Sequence, residues 1–435
     1  MSDLPANYTP YGAGYVPQTP RLHRGANQSA NPSVGLRLGQ LTLSTRTIGN
    51  WAIGFCMLTS GFVMREPAPY ELLLCAVLGI WFLAGLKISR TVAPLLVLWI
   101  LYNIGGLGSM LTMDDYGDIP LYLTVTLFLA LTSVFFAAVI EQDYRKLSVI
   151  FKMYVVSACI TSLLGIGGYL GIIPGGEVFT RYGRAMGAFQ DPNVFGPFLV
   201  LPAMYLLYGL ITGKIKDAPL RTLALLIVTL GVFLSFSRAA WGLYAICGLC
   251  LISLLLVKYR SGGFQFKIFM MSVAGFVVLI GTIMIALQID HIAELFTTRA
   301  QFVQDYDGAR LGRFARHAIG FAMAMEHPLG IGPLEFGLTF GEDTHNMYLK
   351  SLMAYGWLGF ISYMTLFCMT FYFGFKYMLR ERPWQKYFML AMIVLFGHAI
   401  VGIVIDNDHW RHFFLLYGIV WGCIALEKRY GAQYN

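Results

Sequence analysis

The sequence has little charge for its length. Only 12% of its 435 residues are Asp, Glu, Lys or Arg, whereas about a quarter of a soluble domain is charged. So few charged side chains cannot cover a water-soluble globule. Apolar runs of roughly 20 residues recur from about residue 48 onward, and each is long enough to cross a hydrocarbon core about 30 Å thick. The composition predicts an all-α, polytopic membrane protein.

Several functional signatures are also missing. The chain has no Gly-rich P-loop, Walker lysine, HExxH or GxSxG motif, so ATP-driven cytoplasmic chemistry is not supported. No basic stripe with interleaved aromatics accompanies the net charge of +8, which argues against nucleic acid as a partner. The seven cysteines lie in apolar runs and are odd in number, so we predict no disulfide framework. We predict no cofactor and no metal.

The N-terminal segment lacks an apolar core. Residues 1–46 are rich in Pro, Gly, Asn, Ser and Tyr, so we do not expect the segment to be a signal peptide. We expect a disordered cytoplasmic tail there.

Twelve apolar runs are predicted to span the membrane, and together they make residues 47–435 one transmembrane domain. The predicted spans lie near 48–64, 68–86, 92–112, 119–140, 149–172, 193–211, 220–236, 239–257, 266–288, 346–375, 387–405 and 409–426. One large loop, 289–345, separates the ninth span from the tenth.

Loop charge predicts the orientation. Every second loop is basic, which marks the cytoplasmic side. The basic residues on that side are Arg21, Arg24, Arg37, Arg46, Lys87, Arg90, Arg145, Lys146, Lys214, Lys216, Arg221, Lys258, Arg260, Lys267, Lys376, Arg380, Arg382, Lys386, Lys428 and Arg429. The alternation predicts an even number of spans with both termini in the cytoplasm.

A few arginines break this pattern on the predicted outer side. They are Arg181, Arg184, Arg238, Arg299, Arg310, Arg313 and Arg316. Charges beside the membrane on the disfavoured side are costly, so they tend to be functional.

The first such motif runs from Arg184 to Asn193. Pro192 and Asn193 can start a helix whose free N–H groups face outward. An arginine beside a helix N-terminus makes an anion site. A capped helix with an arginine snorkelling to the interface fits the spacing equally well.

A second motif is the Ser-Phe-Ser-Arg turn that ends at Arg238. An arginine at the bilayer boundary needs an anionic partner. Carboxylates are few on this side, which favours a phosphate.

The large loop carries the third motif. A helix would place Arg310, Arg313 and His317 on one face, either to lie on the membrane or to bind substrate. After a Gly-rich turn, 327–332, comes His345. A neutral imidazole in such a polar loop can accept a proton from a hydroxyl, although a lone histidine near a helix start is more often structural.

A fourth cluster lies between the last two predicted spans. Its carboxylates and histidines could bind a divalent metal or pair with loop arginines, and Arg411 in its middle disfavours a cation. The cluster comprises Asp406, Asp408, His409, Arg411 and His412.

At these motifs the sequence resembles the O-antigen ligase family. The matching stretches are Arg184–Asn193 followed by Phe195-Gly196, the turn at Arg238, and 327–346 with Gly356 and Gly359 after it. The resemblance spans about 184–360. It implies a GT-C-like fold and a metal-independent, inverting glycosyltransferase of the bacterial inner membrane.

The implied reaction takes a glycan from undecaprenyl diphosphate at the periplasmic face. The acceptor is lipid A core, another glycan or a protein hydroxyl. Carried over to this chain, Arg184 and Arg238 hold the diphosphate and His345 acts as the base. The residues expected to bind substrate are Arg313, Arg310, Asn193, Asn346, His317 and Arg411.

Two other classes remain as alternatives. A secondary transporter predicts ionisable residues near mid-depth and two related halves. The predicted spans have few such residues, with His398 the nearest case, and no evident repeat. A non-catalytic component of a polysaccharide export complex would be indifferent to mutation of the outer arginines.

Overall fold

The computed structural model describes residues 45–299 and 312–434, together with two short strands before them. The chain divides into two units, Met1–Gly49 and Asn50–Asn435. In the first unit, β1 (Leu36–Leu38) and β2 (Leu41–Leu43) pair as an antiparallel hairpin. Residues 1–35 lie outside the described residues, so a disordered tail over 1–46 stays a prediction.

The second unit is helical over most of its described length. In chain order the helices are α1 (Thr45–Thr59, which begins in the first unit), α2 (Pro69–Leu83), α3 (Ala93–Ser109), α4 (Ile119–Gln142), α5 (Lys146–Tyr169), α6 (Pro192–Phe198), α7 (Val200–Thr212), α8 (Ala218–Leu234), α9 (Arg238–Lys258), α10 (Gly262–Ala286), α11 (Asp290–Arg299), α12 (Arg313–Glu326), α13 (Glu335–Phe340), α14 (Met347–Tyr377), α15 (Gln385–Val401) and α16 (Arg411–Tyr434). A small hairpin of β3 (Thr180–Arg181) and β4 (Arg184–Ala185) lies between α5 and α6.

Eight segments of the described chain are long and apolar enough to cross a membrane. They are Ala93–Thr112, Ile119–Gln142, Lys146–Tyr169, Pro192–Thr212, Ile215–Leu234, Arg238–Lys258, Gly262–Ala286 and Met347–Tyr377. The protein is therefore a polytopic membrane protein, as the composition predicted. These eight match eight of the twelve predicted spans. Helices α1, α2, α15 and α16 occupy the other four positions, and the count of twelve stays a prediction.

Aromatic side chains tie three of the helices together. Helix α14 packs along α3, and α16 packs along α4. The rings of Tyr102 on α3 and Tyr355 on α14 stack at 4.0 Å, and Trp99 lies 4.9 Å from Phe414 on α16. A Cβ on Gly105 would come within 2.5 Å of the Tyr355 carbonyl oxygen, so glycine lets α3 and α14 approach at backbone distance.

Helix α14 is kinked where the Gly-rich turn of residues 327–332 meets it. Gly356 has φ 62°, and a Cβ there would lie 2.5 Å from the Leu329 carbonyl group. The turn is fixed to the helix because the Ile331 N–H donates to the Met353 carbonyl at 2.8 Å. This contact anchors the segment that leads to His345.

Candidate functional site

Arg184 is a buried arginine that joins two distant segments. It follows the tight turn of the β3–β4 hairpin and is only 5% exposed. Its Nε donates to the Ser235 carbonyl oxygen at 2.7 Å, across 51 residues of sequence. Its Nη2 donates to Asn193 Oδ1 at 2.8 Å. Two motifs that the sequence showed only separately are therefore in contact.

Two helix N-termini flank this arginine. Helix α6 begins at Pro192, as expected, and the Asp191 carboxylate caps it by accepting from the Asn193 N–H at 2.6 Å. Helix α9 begins at Arg238 and is capped by Ser237 Oγ. Helix N-termini carry partial positive charge and free N–H donors, which suit an anion. We call the group formed by Arg184, Asn193, Ser235 and Arg238 the arginine site.

His345 lies directly before α14 in an uncommon backbone conformation. Its φ is 53°, in the left-handed region that non-glycine residues seldom adopt. The next residue, Asn346, caps α14, because its Oδ1 accepts from the Tyr348 and Leu349 N–H groups at 3.1 and 3.0 Å. Asn346 is also a predicted substrate-binding residue, and its side-chain oxygen accepts the hydrogen bonds that cap the start of α14.

Helix α12 holds the backbone that precedes His345. Arg316, 4% exposed, pairs with Glu342 Oε2 at 2.5 Å and donates to the Asp343 carbonyl at 3.4 Å. His317 Nε2 donates to the Thr344 carbonyl at 2.8 Å. A strained residue keeps its conformation only where its surroundings over-determine it. These contacts supply that support. The bond to the Thr344 carbonyl also holds His317 next to the backbone that leads into His345.

Both ring nitrogens of His345 face carboxylates. Nδ1 lies 3.5 Å from Asp406 Oδ2, and Nε2 lies 3.2 Å from Glu342 Oε1. The hydrogen bond with Asp406 raises the pKa of His345; burial, which favours the neutral ring, offsets this only in part, and Glu342 adds to the rise. Burial acts to raise the pKa of Glu342, but Arg316 and His345 outweigh it and hold that pKa below its usual value.

Lys350 is the centre of the same group of charges. Its side chain is 8% exposed, and Nζ lies 2.9 Å from Asp343, 3.5 Å from Asp408 and 3.9 Å from Asp406. A buried cation of this kind requires such partners. We call this group the histidine network, and its members are Glu342, Asp343, His345, Lys350, Asp406 and Asp408.

Asp408 is bound from three sides. The Tyr122 hydroxyl donates to it at 2.5 Å, and His409 Nδ1 lies 3.3 Å away. Burial alone would raise the pKa of Asp408. The attraction of Lys350, together with His409 and Tyr122, overcomes burial and holds that pKa well below its usual range. Asp408 is therefore a fixed anion that balances Lys350.

The arginine site and the histidine network are separate groups of contacts. The hydrogen-bonding and ionic partners of the His345 ring, within the described chain, are Glu342 and Asp406. Neither Arg184 nor Arg238 is among them. The expected grouping of Arg184 with Asn193 and the Arg238 turn is therefore observed, whereas a direct contact of these arginines with His345 is not.

Three predicted binding residues have other outcomes. Arg411 donates to Glu71 at 2.9 Å and to Glu66 at 2.8 Å, so two carboxylates balance its charge. A role for Arg411 in substrate binding stays a prediction. Arg310 lies outside the described residues, and so does the side chain of Arg313, whose backbone begins α12.

Sequence reasoning missed Lys350 and Glu342 as members of a site, and it named Arg316 only as one of the outer arginines. We named His398 as the nearest ionisable residue within a span, yet Lys350 lies inside α14. A lysine in the first turns of an apolar span was the available signal, because such a charge needs a buried partner. The partners are far apart in sequence, which no local pattern could reveal.

The fourth cluster pairs differently from either expectation. Asp406 and Asp408 face His345 and Lys350 rather than loop arginines. Among residues 45–299 and 312–434, no three His, Cys, Asp or Glu side chains are grouped so that they could hold a metal ion. The acidic residues at this turn are members of the histidine network.

Part of the chain matches a known protein family. Residues 223–364 match the family model described as O-antigen ligase. The matched segment contains Arg238 and His345, and it ends before Asp406. None of the curated proteins matches the chain. The match confirms the resemblance over this segment and implies a glycan-transferring enzyme of surface polysaccharide biosynthesis that uses lipid-linked glycans.

Proposed function

We propose, starting from the match of residues 223–364 to O-antigen ligase, that this protein transfers a glycan from undecaprenyl diphosphate to an acceptor hydroxyl. The reaction takes place at the periplasmic face of a bacterial inner membrane, with both termini in the cytoplasm. The observation that carries the proposal is Arg184, which bridges the N-terminal region of α6 and the turn before α9. That arrangement suits a bound diphosphate.

The arginine site binds the donor diphosphate in this proposal. Arg184 is oriented by its hydrogen bonds to the Ser235 carbonyl oxygen and to Asn193 Oδ1. Arg238 adds a second guanidinium at the first turn of α9. Guanidinium groups bind phosphate oxygens in a bidentate manner, and helix N-termini add their dipoles. The charge that develops on the leaving diphosphate is stabilised without movement of the site.

His345 accepts the proton of the acceptor hydroxyl. The hydroxyl oxygen attacks the anomeric carbon and forms the new glycosidic bond. The bond between that carbon and the diphosphate oxygen breaks, and the diphosphate leaves with the electron pair. The hydroxyl proton passes to Nε2 of His345, and in-line attack inverts the anomeric centre. For this step Nε2 exchanges Glu342, which is 53% exposed in its side chain, for the acceptor.

Asp406 and Lys350 are positioning residues in this scheme. Asp406 faces Nδ1, so it fixes the ring orientation and stabilises the imidazolium formed by proton transfer. Lys350 in turn lies between Asp343, Asp406 and Asp408, and it keeps the three carboxylates together. In this scheme the arginine site binds the anion and the histidine network accepts the proton.

The experiment is a transfer assay with the purified chain in proteoliposomes that contain glycan-linked undecaprenyl diphosphate and an acceptor. Free undecaprenyl diphosphate is measured as product. We expect Arg238→Ala and His345→Ala each to abolish its release, whereas Arg260→Gln, an exposed arginine beyond the opposite end of α9, retains it. Release that is unchanged in both site variants would reject the proposal.

The acceptor class is read from a deletion strain. Loss of all long chains from lipid A core, with accumulation of lipid-linked polymer, identifies a ligase. Single repeat units left on lipid A core identify an O-antigen polymerase. Loss of secreted polymer with intact lipopolysaccharide identifies an exopolysaccharide polymerase.

A further inference from the structure

A cavity separate from the residues assigned above lies between the α1–α2 loop and the β3–β4 region. Its volume is about 470 Å³, which is within the usual range for small-ligand sites. The Val63 N–H donates to the Ala188 carbonyl at 2.6 Å and fixes the two segments to each other. The lining residues are Met64, Arg65, Val178, Arg181, Met186, Phe189 and Gln190.

The charge in this cavity is positive. Arg65 and Arg181 are its charged lining residues, and within the described chain neither forms an ion pair with a carboxylate. Arg181 Nη1 donates to the neutral Gln190 carbonyl oxygen at 2.9 Å. The nearby Glu66 carboxylate is bound to Arg411 at 2.8 Å. Two guanidinium groups are thus available to one anion.

The walls of the cavity are apolar. Met64 and Val178 are 46% and 53% exposed, and the buried ring of Phe189 lies beside them. Exposed apolar groups next to paired arginines fit a molecule that is charged at one end and apolar at the other. A phosphate-bearing lipid has that character, since its phosphate accepts from guanidinium groups and its glycerol and acyl carbons contact apolar surface.

The cavity adjoins the arginine site through the hairpin. Arg181 and Arg184 are Cα partners in the β3–β4 register, so their Cβ atoms lie about 5 Å apart. Like charges that face each other across two strands repel. A phosphate bound at Arg181 reduces this repulsion, so Arg181 and Arg184 can bind different ligands.

We propose that this cavity is a second anion site, which binds the phosphate headgroup of a membrane lipid beside the arginine site. The site does not depend on the transfer reaction, and it requires Arg65, Arg181 and the Met64 wall. Arg238 has no part in it. Inorganic phosphate offers the same anion without the apolar portion, so it separates a lipid ligand from a free anion.

The test measures binding to the full-length protein in a non-ionic detergent. The probes are dihexanoyl phosphatidic acid, dihexanoyl phosphatidylcholine and inorganic phosphate. We expect phosphatidic acid to bind more tightly than the other two. Arg65→Gln and Arg181→Gln should each weaken it about tenfold, the size expected for a lost charged hydrogen bond. The matched control Arg260→Gln and the arginine-site variant Arg238→Ala should bind it as the wild type does.

Met64 supplies a test that is independent of the hairpin, which Arg181→Gln could disturb. Met64→Glu places an anion beside both arginines and should abolish phosphatidic acid binding, whereas Met64→Gln, which has the same size and no charge, should weaken it much less. Three results would overturn the proposal. They are equal binding of the zwitterionic lipid, equal binding of inorganic phosphate, and loss of phosphatidic acid binding in Arg238→Ala with retention in Arg65→Gln and Met64→Glu.

Discussion

The arginine site and the histidine network place their charges in opposite ways. In the arginine site, Arg184 donates to the carbonyl oxygen of Ser235 and to Asn193 Oδ1, which are both neutral. In the histidine network, Lys350 is paired with Asp343 at 2.9 Å, and Arg316 binds the network member Glu342 at 2.5 Å. The members of the arginine site include two guanidinium groups and no carboxylate, whereas the members of the histidine network include four carboxylates, one lysine and one histidine.

The difference separates two chemical tasks. A pair of guanidinium groups is suited to binding an anion and cannot accept a proton. A network rich in carboxylates can hold one imidazole in a fixed orientation and raise its pKa, as Asp406 does for His345. A transfer from a diphosphate to a hydroxyl requires both tasks at once. The following predictions test whether the two regions divide them.

The largest effect is expected in the histidine network at the proton acceptor. His345→Gln keeps the size of the side chain but removes the base, so kcat should fall about 10²- to 10⁴-fold. Because a general base acts in the chemical step, KM for the donor should change little. A large rise in the donor KM with kcat preserved would instead assign His345 to donor binding. Steady-state kinetics in proteoliposomes separate the two.

Arg184→Lys tests the arginine site with its charge retained. An ammonium group cannot reach both the Ser235 oxygen and Asn193 while it binds a phosphate, so we expect kcat/KM to fall about 10²- to 10³-fold. Arg260→Lys, at an exposed position, is the matched control and should have no effect. Wild-type activity in Arg184→Lys would show that charge alone suffices, without the bidentate geometry.

Lys350→Met tests whether the histidine network depends on its central cation. Removal leaves three carboxylates without their shared partner, so the protein should lose about 3 kcal/mol of stability. Lys376→Met, near the exposed far end of α14, should cost much less. Adding Asp408→Asn to Lys350→Met should restore part of the loss. A thermal midpoint in Lys350→Met equal to that of Lys376→Met would contradict the network. Both midpoints are measured in detergent.

Asp406→Asn gives the smallest and most specific effect, a shift in pH dependence. The neutral ring of His345 is the active base, so activity falls as pH decreases through its pKa, which Asp406 raises. Loss of the carboxylate lowers that pKa, and the acidic limb of the kcat profile should move to lower pH. Asp343→Asn changes a partner of Lys350 rather than of His345, so the acidic limb of the kcat profile of this variant should stay closer to that of the wild type. A limb that moves to higher pH in Asp406→Asn would be incompatible with this pairing.

Local sequence patterns predicted much of the helical layout and the parts of the arginine site. Long apolar runs predicted the spans, and Pro192 predicted the start of α6. The reach of Arg184 to Ser235 crosses 51 residues, so the sequence could name both segments but not their contact. Positive charge on the predicted outer side of the membrane was the signal that pointed to Arg184 and Arg238.

The histidine network was harder to predict because its members come from two distant segments, 342–350 and 406–408, and a third segment supplies Tyr122, which binds Asp408. Tyr122 and Asp408, for example, are 286 residues apart. His345 was recognised from its polar setting, whereas Lys350 was overlooked within an apolar run. The partner of Arg411 was also not predicted, since Glu71 lies inside the second predicted span. An ionisable residue inside a span predicts that a partner exists, but only packing identifies it.

The most direct test of the account is a structure of the protein with undecaprenyl diphosphate bound. We predict that phosphate oxygens lie about 3 Å from the guanidinium groups of Arg184 and Arg238. We also predict that the His345 ring lies within hydrogen-bond reach of an acceptor hydroxyl at the donor sugar. A diphosphate bound away from both arginines, or a His345 ring more than about 15 Å from the reacting carbon, would contradict the division of work between the two regions.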